Sequence, residues 1–155
     1  MTNKFTILGS GSSLGVPRID GDFGKCNPND QKNHRTRCCA HLKFNDISIL
    51  IDTSPDLRSQ LLRNKIKDVD FVLYTHAHAD QTHGINDLRA FYIKYRKRLN
   101  VYADRLTKKH LISSFGYCFK NKPGYPAILK MNLLKKKLYF KSNNKNLIIE
   151  PIIAQ

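Results

Sequence analysis

Apolar residues fall in short runs separated by clusters of glycine, proline, asparagine and aspartate, and the spacing within each run distinguishes strands from helices. Lys4–Leu8 reads as a strand that opens into Gly9-Ser10-Gly11-Ser12-Ser13-Leu14-Gly15-Val16-Pro17, a glycine-punctuated loop. From Arg18 to Arg37 the chain is largely polar and predicts a long excursion without secondary structure, a kind of loop that compact domains keep for function. Cys38–Phe44 and Ile47–Asp52 predict a hairpin turned by Asn45-Asp46. Ser54-Pro55-Asp56 is a helix start, with Ser54 as cap, Pro55 at the first helical position and Asp56 at the positive end of the dipole. Leu57, Leu61 and Leu62 supply that helix with an apolar stripe. Val69–Tyr74 predicts a buried strand, followed by a helix around Asn86–Tyr95 and a strand at Leu99–Tyr102. Asp104 caps a further helix, in which Leu106, His110, Leu111 and Ser114 recur at helical spacing. Strands near Lys137–Lys141 and Leu147–Ile153 close the pattern. Strands before, between and after helices predict a layered α/β fold, and 155 residues suit one domain.

Composition changes little in that picture. The 41% hydrophobic and 25% charged fractions are those of a globular chain. No apolar run approaches the ~20 residues that span a bilayer, and the first residues lack the apolar stretch of a secretory signal. A cytoplasmic protein with no membrane partner is expected. Cys26, Cys38, Cys39 and Cys118 show no regular framework, and a bond between adjacent Cys38 and Cys39 would be strained, so reduced thiols are expected.

Charge changes it more. The formal net charge is +15, and residues 105–149 hold 11 Lys and Arg with no Asp or Glu. Such a basic half predicts a polyanionic partner, either a phosphate-containing substrate or nucleic acid. A compositional bias toward Lys, Asn and Ile gives the same imbalance with no partner at all. Tyr92, Tyr95, Tyr102, Phe119, Tyr125 and Tyr139 stand among the basic residues as core positions or as faces on which bases stack.

The chemistry concentrates in Thr75-His76-Ala77-His78-Ala79-Asp80-Gln81-Thr82-His83-Gly84, directly after an apolar strand. His76 and His78 offer imidazole nitrogens and Asp80 a carboxylate oxygen, a donor set suited to zinc, manganese or iron. Ala77 and Ala79 are small enough to let the loop coil around an ion.

This His-x-His-x-Asp loop resembles that of the metallo-β-lactamase-fold hydrolases. Ile7–Arg18, Ile51-Asp52-Thr53-Ser54-Pro55-Asp56-Leu57-Arg58 and His83-Gly84-Ile85-Asn86-Asp87-Leu88-Arg89 narrow the likeness to the branch containing phosphoribosyl 1,2-cyclic phosphate phosphodiesterases. The resemblance covers residues 5 to about 92 and implies an αββα four-layer sandwich related to the tRNA 3′-processing endonucleases. It implies one or two divalent ions, zinc or manganese, with His76 and His78 on the first and Asp80, also the catalytic carboxylate, on the second. Asp52 would lie beneath the loop and orient an imidazole N–H, and His83 would support the loop. Gln81 stands where the family usually has a second-site histidine, and its amide oxygen is a weaker, neutral donor.

The family closes its site with a later His, a bridging Asp and a final His. After Asp80 only His83, His110, Asp87, Asp104 and Glu150 offer such groups, none in a comparable setting. The resemblance therefore implies that residues 1–155 are the N-terminal part of a single such domain, a truncated sandwich. Its uncovered sheet would favour self-association into a homo-oligomer. The implied activity is phosphodiester hydrolysis by a metal-bound hydroxide, impaired by the missing ligands. Two alternatives stand beside it: a non-catalytic remnant or basic interaction module, and a nuclease like the tRNA-processing relatives.

Overall fold

A computed structural model describes residues 3–142 and 145–152. Strands β1 (Lys4–Gly9), β2 (Cys39–Phe44) and β3 (Ile47–Ile51) form an antiparallel meander. The two-residue link Asn45-Asp46 joins the Phe44–Ile47 pair, with Asn45 taking the left-handed turn at φ 53°. Strands β4 (Phe71–Leu73), β5 (Leu99–Ala103) and β6 (Leu129–Leu133) continue from β3 in parallel, so the six strands lie in chain order.

Parallel neighbours need crossovers, and right-handed crossovers between successive strands place every helix on the same face. Helix α1 (Leu57–Arg63) joins β3 to β4, and α2 (Ala79–Thr82) and α3 (Arg89–Tyr95) join β4 to β5. Helices α4 (Arg105–Ser114) and α5 (Gly116–Phe119) join β5 to β6. Leu50, Val72 and Val101 align in register, and they form a fully buried row under Leu57, Leu88 and Leu111 from the helical layer. The opposite face carries Ile49 and Phe71. There β7 (Leu138–Ser142) and β8 (Lys145–Ile149) pair antiparallel as a second, two-stranded sheet. Phe140 stacks on Phe71 at 4.2 Å and meets Tyr102 edge-on at 6.0 Å. The described residues thus form a helical layer, a six-stranded sheet and a two-stranded sheet facing it. Toward β1 the facing layer gives out, leaving Phe5 58% and Ile7 67% exposed.

Several local expectations shift. Helix α1 begins at Leu57 rather than at Pro55, because Ser54 Oγ accepts from the Asp56 N–H and the Leu57 N–H donates to the Ser54 carbonyl. Of its predicted stripe, Leu57 and Leu61 are buried and Leu62 is exposed. Asp104 caps α4 as predicted, its Oδ1 accepting from Leu106 N at 2.6 Å and Thr107 N at 3.0 Å. That geometry turns Thr107 and Leu111 inward and leaves Leu106 in solvent. The helix predicted at Asn86–Tyr95 divides into a 3-10 turn at Ile85–Leu88 and α3. Strand β6 and helix α5 had no clear apolar period, and only the described structure reveals them. Among the described residues no helix is long and apolar enough to cross a membrane.

Gly84 fixes how closely the loop after β4 approaches the end of β3. Its N–H donates to the Thr53 carbonyl at 2.9 Å, and a Cβ there would overlap the Ser54 carbonyl oxygen and press on Leu57 Cβ. Both obstacles are anchored, so Gly84→Ala is expected to destabilise by about 2 kcal/mol or more in urea unfolding. Gly116→Ala, which meets open space in α5, is expected to be close to neutral in the same measurement.

Candidate functional site

The loop that follows β4 is laid over the end of β3. Tyr74, fully buried, donates its N–H to the Tyr102 carbonyl, and its phenol oxygen lies 3.0 Å from Thr53 Oγ1. The Asp52 N–H donates to Leu73 O at 2.8 Å, and Asp52 takes a left-handed φ of 65° as the chain leaves β3. Its carboxylate is 4% exposed and turns to the first residue of the loop. Oδ1 accepts from Thr75 N at 2.8 Å and Oδ2 from the Thr75 hydroxyl at 2.7 Å. Burial pushes the Asp52 carboxyl up to about 6, against the two bonds from Thr75, so it is chiefly ionised at neutral pH.

Thr75 relays this charge. Its single hydroxyl proton is committed to Asp52, so its oxygen, 2.9 Å from His76 Nδ1, accepts the imidazole N–H. That fixes His76 as the Nδ1–H tautomer and leaves a lone pair on Nε2. His76 Nε2 lies 3.1 Å from His78 Nδ1, with the two rings 79° apart. Two nitrogens held at ~2.0–2.1 Å by one tetrahedral ion stand roughly 3.3 Å apart. The imidazole pair therefore fits half of a zinc-type donor set.

The other predicted residues sit one turn on. Asp80 is half-buried in α2 and accepts from Gln81 Nε2 at 3.0 Å, while the buried Gln81 takes the Thr53 N–H on its carbonyl at 2.7 Å. His83 packs edge-on against Phe115 at 5.3 Å, with Nδ1 3.1 Å from Thr82 Oγ1. The Thr82 hydroxyl donates to the His78 carbonyl at 3.0 Å. His76 and His78 thus meet each other, and Asp80 and Gln81 meet each other. Among the described residues no three His, Cys, Asp or Glu side chains converge as one ion's ligands. Asp52 meets the His76 imidazole through Thr75, which stands between them. The sequence marked Thr75 only as the residue before the first histidine, and its role needs the left-handed turn at Asp52 to become visible.

A further strut borders the site. Arg37, just before β2, grips Asp56 through Nη2 at 2.6 Å, Nε at 2.9 Å and its backbone N–H at 2.9 Å. These bonds hold the Asp56 carboxyl below the usual carboxylate range. Gln60 Nε2 donates to the Arg37 carbonyl and to Thr36 Oγ1, tying the same segment to α1. The histidine loop has no share in His41, which is buried beside Ser48 Oγ at 2.7 Å and held below its usual pKa by burial. Tyr92, Tyr102 and Phe119 pack on the core or the facing sheet rather than offering free stacking faces. The four cysteines are free thiols, Cys39 and Cys118 buried and Cys26 and Cys38 exposed.

Two measurements check this geometry. In the metal-free protein, histidine nitrogen shifts are expected to report His76 as the Nδ1–H tautomer. Asp52→Asn reverses the relay, since an amide NH2 donates to Thr75, whose hydroxyl then donates to Nδ1, and the Nε2–H tautomer is expected. Asp56→Asn is expected to cost about 1–2 kcal/mol at pH 7 in urea unfolding, discounted for partial exposure. Because the Asp56 pKa is lower in the folded chain, its contribution is complete above the unfolded value near 4. It disappears as pH falls through the folded value, so the gap between variant and wild type is expected to close in acid.

Residues 48–152 match the Beta-lactamase superfamily domain. Among solved structures, a diphosphatase of the PhnP family superposes with a TM-score of 0.77 at 33% identity, over 92% of this chain and 54% of that one. A Zn(2+)-bound PqqB from Methylobacterium extorquens superposes with a TM-score of 0.60 at 18% identity, over 90% of this chain and 48% of that one. An octanoyltransferase of Porphyromonas gingivalis (strain ATCC BAA-308 / W83) is 35% identical over 148 residues, 94% of this chain and 29% of that protein. The chain therefore spans about half the length of these solved relatives and less than a third of the octanoyltransferase. With the domain match running from β3 to just past β8, and with this sheet and helix order, the chain belongs to the β-lactamase superfamily and has the metallo-β-lactamase fold.

Proposed function

We propose that this chain carries part of the active site of a metal-dependent phosphodiester hydrolase. The observation that carries the reading is the Asp52–Thr75–His76 relay, which leaves the His76 Nε2 lone pair facing His78. His76 and His78 would hold a divalent cation, zinc or manganese, with Asp80 and more weakly Gln81 serving a second position. Such a cation supplies Lewis acidity toward a phosphoryl oxygen and lowers the pKa of water.

The chain's own residues do the positioning. Asp52 and Thr75 hold the His76 proton on Nδ1, away from the ligand side. Thr82 fixes the backbone of His78. Thr53 and Gly84 clamp the loop to the end of β3, so that the imidazoles do not swing with solvent. A phosphodiester also suits the excess of positive charge, which steers an anion toward the site. The PhnP-family diphosphatase, at 33% identity, favours a phosphorus-oxygen bond over the acyl transfer named for the octanoyltransferase, only 29% of which aligns here.

A second reading, a non-catalytic basic module, draws on the lack of a three-donor cluster among the described residues. Titration with zinc and with manganese, assayed on bis(p-nitrophenyl) phosphate, separates the two. Metal-dependent turnover that His76→Ala and His78→Ala each reduce at least 100-fold is expected. No turnover at any metal concentration overturns the hydrolase reading and leaves the module.

A further inference from the structure

Beside the histidine loop, the glycine-rich segment after β1, residues 31–37 and the last turn of α1 enclose two adjoining cavities of about 360 and 410 Å3. They share His34, Arg35, Thr36 and Arg63, and the first is also lined by Arg18 and Arg37. Its single acidic lining residue, Asp56, is already taken by Arg37, and Arg18 is paired with Asp22 at 3.1 Å. Among the described residues Arg35 and Arg63 have no carboxylate within 4.0 Å. Arg35 spends Nε on the Lys32 carbonyl at 3.2 Å, which steers its two terminal NH2 groups without consuming them. Its backbone is fixed by reciprocal bonds with Val16, at 2.8 and 3.0 Å. The cup is therefore held open by backbone pairing.

Its chemistry is specific. Guanidinium forks match phosphate oxygens two at a time, which ammonium groups do not. Leu14 and Ile19 line the same cavity and offer it an apolar ledge, 62% and fully exposed. A cavity of this size lies within the range of roughly 300–1,000 Å3 that small-molecule sites occupy. Asp56, which lines the first cavity, lies two residues after Ser54, whose carbonyl packs against Gly84 at the end of the histidine loop, so the cup and that loop are near neighbours.

We propose that this cup is a nucleotide subsite, taking the non-reacting phosphates of a nucleoside polyphosphate on Arg35 and Arg63 and its base on the Leu14–Ile19 ledge. Binding at the cup stands on the cup's own residues; only the identification of the bound nucleotide as substrate rests on the hydrolase reading. A concave cup with one apolar wall suits a single nucleotide, whereas a strand needs an elongated groove with repeated stacking faces.

The test is anisotropy of N-methylanthraniloyl-ATP with the intact chain in EDTA, so that its outcome is independent of metal and turnover. Saturable binding is expected, weakened at least 10-fold by Arg35→Gln with Arg63→Gln. Arg63→Lys alone, which keeps the charge and loses the fork, is expected to weaken it at least threefold. Lys108→Gln with Lys109→Gln, the same change in charge on α4, and His76→Ala are each expected to stay within twofold. Equal weakening by the two double variants would make binding a matter of net charge, and loss with His76→Ala would place the probe at the histidine loop. Absence of saturable nucleotide binding, with or without binding of a single-stranded oligonucleotide, also overturns the assignment.

Discussion

A buried carboxylate at the seam between two parallel strands organises this molecule. Asp52 leaves β3 where Ile51 is paired with Leu73, so its side chain meets the next strand as that strand ends. An ionised carboxylate taken from water costs several kcal/mol unless its oxygens are bonded. Thr75 supplies a bond to each oxygen, and that requirement draws the start of the histidine loop onto β3. The left-handed backbone of Asp52, worth roughly 1–2 kcal/mol of strain for a residue with a Cβ, is the cost of aiming the carboxylate there. Strain, buried charge and an oriented imidazole therefore occur within one short hydrogen-bonded chain.

The same seam explains why a loop with only one short helical turn keeps its shape. Thr53 donates its N–H to Gln81 O and accepts from Gly84 N, so the last turn of α2 and the residues that follow it are tied to one residue just past β3. Thr53 Oγ1 is further linked to the buried Tyr74 phenol. Burial also pushes that phenol's pKa up, so it stays a neutral partner throughout the ordinary pH range. The imidazoles are positioned by β3 as much as by the segment that contains them. A histidine-rich loop transplanted without Asp52, Thr53 and Gly84 would keep its donors and lose their directions.

Legibility in the sequence follows from this division. Most strands were readable because apolar residues cluster between turn formers, β6 being the exception, and Asp104 was readable as a cap because capping is local. Of the His-x-His-x-Asp string, the structure brings together His76 and His78, while Asp80 meets Gln81 instead. The role of Thr75 and the tautomer of His76 were not readable, since they depend on a contact spanning 23 residues and on a φ that the sequence does not specify. The exposure of Leu62 and Leu106 was missed because apolar spacing gives a stripe's period, whereas the neighbouring turn sets its rotation. Arg37 and Asp56, 19 residues apart, carried no pattern that marks them as partners.

The total charge and the placement of the arginines follow different patterns. The most basic stretch, residues 105–149, contains one Arg and ten Lys, and Arg105, Lys108 and Lys109 line an outer face of α4. Strongly hydrated ammonium groups on an open surface raise solubility and attract anions without selecting among them. The first 104 residues are far closer to neutral, yet they contain eight of the nine arginines. Four of those eight converge on the concave cup beside the histidine loop. Recognition of a phosphate needs a fixed fork in a cavity rather than a total of charge. In this chain that condition is met by the polar excursion between Arg18 and Arg37, which has little regular structure of its own and borrows its rigidity from β1 and α1.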